Sequence, residues 1–252
     1  MKKIILTCVA LGVLFTGNFA SAEQSGIYIA PKFFYSYQRM DDVNRKFRDN
    51  DGPLSNGLSS KDDSTFGGAL ALGYDFQPNF GVPIRTEFEY AIRSRSEGDD
   101  SFSYRIEPGG GNPPFIYYGK GSMKFDIQTL FLNFFYDFDT GTPFTPYIGY
   151  GVGAAFIKAK GSMKVSYSNN EPGFDGSASN SQSNFAFNLA AGIGYDFNEN
   201  LTFDLGYRYL DLGKVDTGTI RYDSPSPDAP EFYKYDATLS THEVLLAVRY
   251  TF

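Results

Sequence analysis

Cysteine, histidine and tryptophan are almost missing from these 252 residues: one Cys, one His and no Trp. Cys8 lies in an N-terminal apolar run, so the rest of the chain can form no disulfide and offers no thiolate. A lone His242 without cysteine partners makes no cluster with metal-ligand spacing, and neither a metal nor a cofactor is expected. Long hydrophobic runs are missing too; nothing after the N-terminal run approaches the roughly 20 apolar residues of a membrane-crossing helix. Basic charge is short as well. Lys and Arg total 22 against 29 Asp and Glu, a net charge of −7. That balance points to no nucleic-acid partner and to no basic face for anionic lipid.

Residues 1–22 carry Lys2 and Lys3, an apolar run from Ile4 to Phe15, and the small-residue site Ala20-Ser21-Ala22. This order predicts a cleaved secretory signal peptide, with an apolar run too short to span a bilayer. Residues 23–252 are then expected to form one barrel domain.

What the chain has in quantity is Gly (27), Phe (25) and Tyr (19). The aromatics recur in triplets: Tyr74-Asp75-Phe76, Tyr136-Asp137-Phe138, Tyr195-Asp196-Phe197 and Tyr250-Thr251-Phe252. Each triplet ends a stretch that alternates apolar with polar or small residues. The sharpest stretch runs from Val82 to Arg93, where Val82, Ile84, Thr86, Phe88, Tyr90 and Ile92 alternate with Arg85, Glu87, Glu89 and Arg93. Strict period-two alternation is a strand signal, not a helical one. Eight such strands are expected: Gly26–Gln38, Ser64–Phe76, Val82–Arg93, one ending at Phe138, one around Tyr147–Phe156, Asn184–Phe197, Leu201–Tyr209, and one ending at Phe252. The first has the most blurred phase, with aromatics on both sides. Three short turns alternate with four polar stretches, Arg39–Asp63, Ser94–Ser122, Lys160–Ser183 and Gly213–Thr238, whose composition reads as long loops. The fold class predicted is all-β: a closed, eight-stranded, antiparallel, up-and-down transmembrane β-barrel with short periplasmic turns and long extracellular loops. Its location would be the cell outer membrane.

Which face turns inward follows from volume. An eight-stranded barrel has room inside for side chains and little else. Bulky apolar residues fill one phase; the other collects small residues with Lys32, Arg85, Glu87, Glu89, Arg93, Asp204, Arg208, Glu243 and Arg249, and near one end Asp75, Asp137 and Asp196. Lipid outside and ion pairs inside is the inexpensive arrangement. The inward Gly and Ala residues are expected to make room for the long charged side chains. The triplet aromatics Tyr74, Phe76, Tyr136, Phe138, Tyr195, Phe197, Tyr250 and Phe252 would form a periplasmic girdle.

From Phe144 onward the sequence resembles the opacity (Opa) family within the broader OmpA-type eight-stranded barrels. The resemblance rests on Phe144-Thr145-Pro146-Tyr147-Ile148-Gly149, Gly194-Tyr195-Asp196-Phe197, Leu201 to Tyr209, Thr241-His242-Glu243 and Val248 to Phe252. It covers the C-terminal half well and the first half through strand pattern alone. It implies a surface-exposed barrel with porin-like or adhesin roles residing in variable loops, and transfers no receptor. Tyr250 with Phe252 also resembles the signal read by the barrel-assembly machinery.

No catalytic set emerges. His242 falls in the outward phase and Glu243 in the inward one, so they point apart and lack the mutual reach of nucleophilic chemistry. The interior charges read as a structural plug, with a narrow porin passing small solutes as the alternative. Phe115 to Tyr118 and Phe232 to Tyr235 are aromatic clusters outside the membrane band, read as strand extensions or contact anchors. The partners expected are outer-membrane lipid and lipopolysaccharide, the barrel-assembly machinery, and a host or cell-surface partner at the loops.

Overall fold

The structure is a computed structural model describing residues 25–49, 52–57, 59–107, 113–169, 173–221 and 232–252. The predicted signal peptide lies outside the described residues.

Among the described residues, eleven strands build the wall: β1 (Ile27–Asp49), β2 (Gly52–Gly57), β3 (Lys61–Asp75), β4 (Ile84–Arg93), β5 (Ser96–Ile106), β6 (Phe115–Asp137), β7 (Phe144–Tyr167), β8 (Phe174–Asp196), β9 (Leu201–Asp216), β10 (Ile220–Arg221) and β11 (Phe232–Thr251). Eight of them form a ring in the order β1, β3, β4, β6, β7, β8, β9 and β11, each antiparallel to the next. The ring closes where β11 returns to β1, with Ile29 opposite Tyr250 and Tyr37 opposite His242. Closure pairs the backbone donors and acceptors between neighbours and leaves no open edge in hydrocarbon.

The short-turn end is built by local chemistry. Pro78 lies in the single helical turn α1 (Gln77–Phe80), which Gly81 ends at φ +66°, a conformation glycine adopts without strain. Asp139 accepts the Gly141 N–H, and Asn198 accepts those of Asn200 and Leu201, so side chains mimic a turn's missing backbone bonds.

At the opposite end the structure differs from the sequence expectation. Three of the four stretches read as loops are largely strand, and the fourth is strand at 213–216, 220–221 and 232–238. β1 continues to Asp49, β5 pairs with the upper half of β6 from Ser96 opposite Phe125 to Ile106 opposite Phe115, and β7 pairs with β8 as far as Val165 opposite Phe174. A polar, Gly- and Ser-rich composition was the wrong guide because paired neighbours, not propensity, decide whether such residues form a sheet.

The wall also changes character along its height. On β6 the outward residues Leu130, Leu132, Phe134 and Tyr136 give way above Gln128 to Asp126, Lys124, Ser122 and Lys120. The inward residues change the opposite way, from Asn133 and Thr129 to Ile127, Phe125 and Met123. β7 switches at the same level: Phe156 is its last outward apolar residue before Lys158, Lys160 and Lys164, while Ile157, Met163 and Val165 turn inward. The lower storey is therefore apolar outside, as lipid demands, with charged side chains and buried aromatic rings inside; the upper storey is apolar inside and polar outside, as water demands. Irregularities mark the change on three staves. Asp42 has a positive φ of 49° where β1 shifts register, Ser94 and Arg95 separate β4 from β5, and Gly213 (φ 75°) lies where β9 shifts against β11. The outward apolar stretches of the lower storey, such as Ile27 to Tyr37, match the roughly 9–11 residues of a tilted membrane strand.

Candidate functional site

The lower lumen holds a central charge network flanked by two separate ion pairs. The sharp alternation of β4 aims Arg85, Glu87, Glu89 and Arg93 inward at two-residue steps, and all four are buried. At the short-turn end Arg85 grips Asp137 through Nε and Nη2, at 2.5 and 2.9 Å. One step up, Lys32 donates to Glu87 and, at 2.7 Å, to Glu89, while the Tyr28 hydroxyl donates to Glu87 at 3.1 Å. Arg208 then joins Glu89 at 2.5 Å to Glu243 at 2.6 Å, and Arg93 reaches the other Glu243 oxygen at 2.7 Å. Arg249 faces Asp204 at 3.5 Å. The nine charged residues read from the sequence thus occupy one lumen, each with an opposite charge.

Aromatic rings complete the packing. Arg93 and Arg208 lie 5.2 and 5.6 Å from the Phe34 ring centroid; Arg85 lies 5.1 Å from Phe135 and 5.2 Å from Tyr147. Inward glycines admit these rings more than they admit the charged chains. A Cβ on Gly73 would overlap the Tyr28 ring, and one on Gly67 the Phe34 ring. The expectation that small residues make room for long charged side chains fits Gly194, whose Cβ would meet Asp204 and Arg249, while Gly67 and Gly73 make room for rings. A bond between Asn188 and Asn133 (2.9 Å) spans β8 and β6. Among the described residues, the cavity left between Lys32, Arg85, Asn133 and Arg208 measures about 20 Å³, space for about one water.

Above this layer the barrel is filled by Met40, Met123, Phe125, Ile157, Met163, Leu212 and their neighbours. Among the described residues, one charge pair enters it. Arg45 is buried, 3.1 Å from Asp100, with its guanidinium 3.7 Å from the Phe102 ring centroid. Sequence reasoning missed this pair because both residues fell in stretches read as loop. The inward phase of Phe102 and Met123 around Gly98 and Gly121 was the available signal. The aromatic clusters divide in the same way. Tyr117, Tyr233 and Tyr235 turn into the upper core, where the Tyr117 and Tyr233 hydroxyls meet at 2.7 Å and burial pushes the Tyr235 phenol up from its ordinary pKa. Ile116 and Tyr118 face outward, at 37 % and 44 % exposure. The side chain of Phe232 lies outside the described residues.

The triplet aromatics line the outer wall at the short-turn end. Tyr74 packs edge-on to Phe76 (4.7 Å), Tyr136 to Phe138 (5.0 Å) and Tyr250 to Phe252 (5.2 Å); Tyr195 lies 5.1 Å from Phe144, and Phe197 6.0 Å from Phe203. Between them Asp137 binds Arg85, Asp196 accepts the Thr202 hydroxyl at 2.6 Å, and Asp75 accepts the Gln77 N–H. His242 sits on the outer wall with Nδ1 2.6 Å from the Tyr207 hydroxyl, while Glu243 is buried in the lumen.

Comparison with known proteins agrees with this geometry. The outer membrane protein beta-barrel domain family matches residues 6–252. The outer membrane protein PagN of Salmonella typhimurium is 30 % identical over 259 residues, covering all of both chains. The Opa-like outer membrane protein P.IIC of Neisseria gonorrhoeae is 30 % identical over 144 residues, half of this chain and 46 % of that one. The crystal structure of the outer membrane protein OprG from Pseudomonas aeruginosa shares the fold at a TM-score of 0.52 and 18 % identity, covering 92 % of this chain and 98 % of that one. A ring of eight strands, a polar lumen, an apolar outer band and a family match over nearly the whole length give one conclusion: this chain belongs to the outer membrane protein β-barrel family.

Proposed function

We propose that this outer-membrane surface protein is a sealed pedestal with an adhesin-like role, presenting its upper wall and rim to other cell surfaces. One observation carries the reading: the staves run on past the apolar band for ten or so residues, and the extension is packed with apolar side chains like a soluble domain. Such a core stiffens a projecting rim, and recognition sits well on segments held by a rigid scaffold. Conduction has no comparable support, because the lumen is filled by an ion-paired layer and then by an apolar one. We read the chain as non-enzymatic, since His242 and Glu243 lie on opposite faces of the wall. Outer-leaflet lipid, lipopolysaccharide and the barrel-assembly machinery complete the partners proposed.

Ile116 and Tyr118 are the outward apolar residues of β6 above the membrane band, and they are the anchors proposed for contact. The test displays the full chain on a non-adherent bacterium and counts attachment to epithelial monolayers. Expression should raise attachment, and Ile116→Ser with Tyr118→Ser should lower it several-fold at equal surface level. Attachment no greater than that of bacteria lacking the protein would overturn the adhesin reading.

A further inference from the structure

Net charge forecast no basic face, yet the fold assembles one. On adjacent strands β6 and β7, Lys120 is directly opposite Lys164, and Lys124 is directly opposite Lys160. Lys158 lies one outward step below Lys160. All five side chains are on the outer wall. Directly opposed residues hold their Cβ atoms about 4.5–5.5 Å apart, and like charges so placed oppose strand pairing.

The surrounding carboxylates do little to relieve this. Lys124 pairs with Glu97 at 2.8 Å. Asp126 stands opposite Lys158, but Arg95 holds both its oxygens at 2.8 Å. Asp175 faces Lys164, and Asp99 faces Ser122, in register without an ion pair. Among the described residues, Lys120, Lys158, Lys160 and Lys164 therefore have no anionic partner within the chain. A second opposed pair, Lys46 and Lys234 on β1 and β11, shows the contrast: Lys46 binds Asp236 at 2.8 Å and Lys234 binds Asp216 at 3.3 Å. That pair is neutralised internally; on the β6–β7 face only Lys124 is, and the other four lysines are left for something external.

Height and chemistry identify the class of ligand. Phe156 is the last outward apolar residue of β7, and each outward step rises about 5 Å for a strand of 6.8 Å per two residues tilted near 40°. Lys158, Lys160 and Lys164 then stand about 5, 10 and 20 Å above the hydrocarbon edge, the headgroup and sugar layer of the outer leaflet. Around them lie hydroxyls: Ser122 and Ser162, bonded to one another at 2.7 Å, and the exposed Ser177, Ser179 and Ser181 of β8. Ammonium groups at the lower levels suit phosphates, and serines suit sugar hydroxyls.

From this we infer that the β6–β7 lysine face binds the phosphorylated headgroup of an outer-leaflet glycolipid, its ammonium groups standing in for the divalent cations that otherwise bridge such phosphates. The site is on the wall and does not depend on the rim contacts proposed for adhesion.

The test uses the full chain refolded in neutral detergent, with bis-phosphorylated lipid A, dephosphorylated lipid A and heparin as probes, each with and without a chelator of divalent cations. Binding is read by equilibrium titration, and folding by heat-modifiable gel migration. Bis-phosphorylated lipid A should bind in the presence of chelator, and the dephosphorylated form should bind far more weakly. Replacing Lys124, Lys158, Lys160 and Lys164 with Gln should weaken binding by roughly 100-fold or more, given the contribution of each cation near an anionic surface. Without lipid that variant should fold as well as the parent or better, since repulsion is removed. Should it fail to fold, K124Q with K160Q and the single variant K158Q test the face at phosphate height, and each should weaken binding. A control with Gln at Lys46, Lys61, Lys214 and Lys234 changes net charge equally and should retain binding. Equal lipid A binding by the lysine-face variant, equal loss in the control, or capture of heparin in place of lipid A would each overturn the inference.

Discussion

Arg93 and Glu243 are 150 positions apart in the chain and form a 2.7 Å ion pair across the lumen, with 0 % exposure of either side chain. The same carboxylate accepts from Arg208 at 2.6 Å and from the Ser36 hydroxyl at 2.7 Å, so one residue ties together β1, β4, β9 and β11. Removing Glu243 leaves Arg93 and half the pairing of Arg208 uncompensated in a buried interior. Glu243→Ala should cost about 3–5 kcal/mol, read from urea unfolding of the protein in lipid vesicles. A loss below about 1 kcal/mol, the scale of a surface pair, would mean that water reaches the network.

The two storeys predict opposite sensitivities on a single strand. Phe125 is 1 % exposed in the upper core, and Phe125→Ala should cost about 3–5 kcal/mol. Leu132, seven residues along β6 and 44 % exposed on the lipid face, should tolerate Ala with a much smaller loss. Leu132→Arg places a charge in hydrocarbon and should cost about 2–4 kcal/mol near the midplane. Equilibrium unfolding of the three variants gives the order directly.

Gly151 has no Cβ at the point where Asn133 and Asn188 meet; an added Cβ would overlap both amides. Gly151→Ala should break that bond and lower the temperature at which heat-modifiable migration is lost. Ser177→Ala, outward and exposed on β8, should leave it unchanged.

Above the membrane, pH enters through Asp216. Partial burial opposes its ionisation, but the Gly218 N–H and Lys234 outweigh it and hold the carboxyl below its ordinary 3.8. A depressed carboxylate stabilises fully above the unfolded value and ceases to do so as pH falls through the folded one. Acidification below about pH 4 should therefore accelerate hydrogen exchange at 213–218 and 234–236. Asp216→Asn should remove that pH dependence while leaving exchange in the lower storey unchanged.

The lower storey was legible because its two solvents are stark. Lipid outside requires Phe88, Tyr90 and Ile92 on one phase, and the lumen accepts Glu87, Glu89 and Arg93 on the other, so period two is printed at full contrast. Even the blurred phase of β1 has a physical reason: Tyr28 and Phe34 belong to the lumen, where they lie against Gly73 and Gly67 and under the arginines. The upper storey hid for two reasons. Its contrast is weak, as in Ser177 to Ser183, where outward serines alternate with inward Ala178, Asn180 and Gln182. Its sense is also reversed, so Met163 among Gly161, Ser162 and Lys164 looks like a stray apolar residue in a loop. The lysine face was invisible because Lys124 and Lys160 become neighbours through strand register alone.

Tyr250 and Phe252 carry the assembly proposal. Phe252 is tied to the start of β1, accepting from the Ser25 N–H at 2.9 Å and donating its own N–H to Ile27 at 3.0 Å. Phe252→Ala should slow insertion into vesicles containing the barrel-assembly machinery while leaving the unfolding midpoint of the inserted protein nearly unchanged. An equal effect on both would make Phe252 a stability residue instead.

A barrel filled by ion pairs below and apolar side chains above should not conduct. Refolded protein in a planar bilayer should give a baseline without discrete current steps across the accessible voltage range. Large, stable, uniform conductance steps from the same preparation would contradict the sealed pedestal and restore the porin.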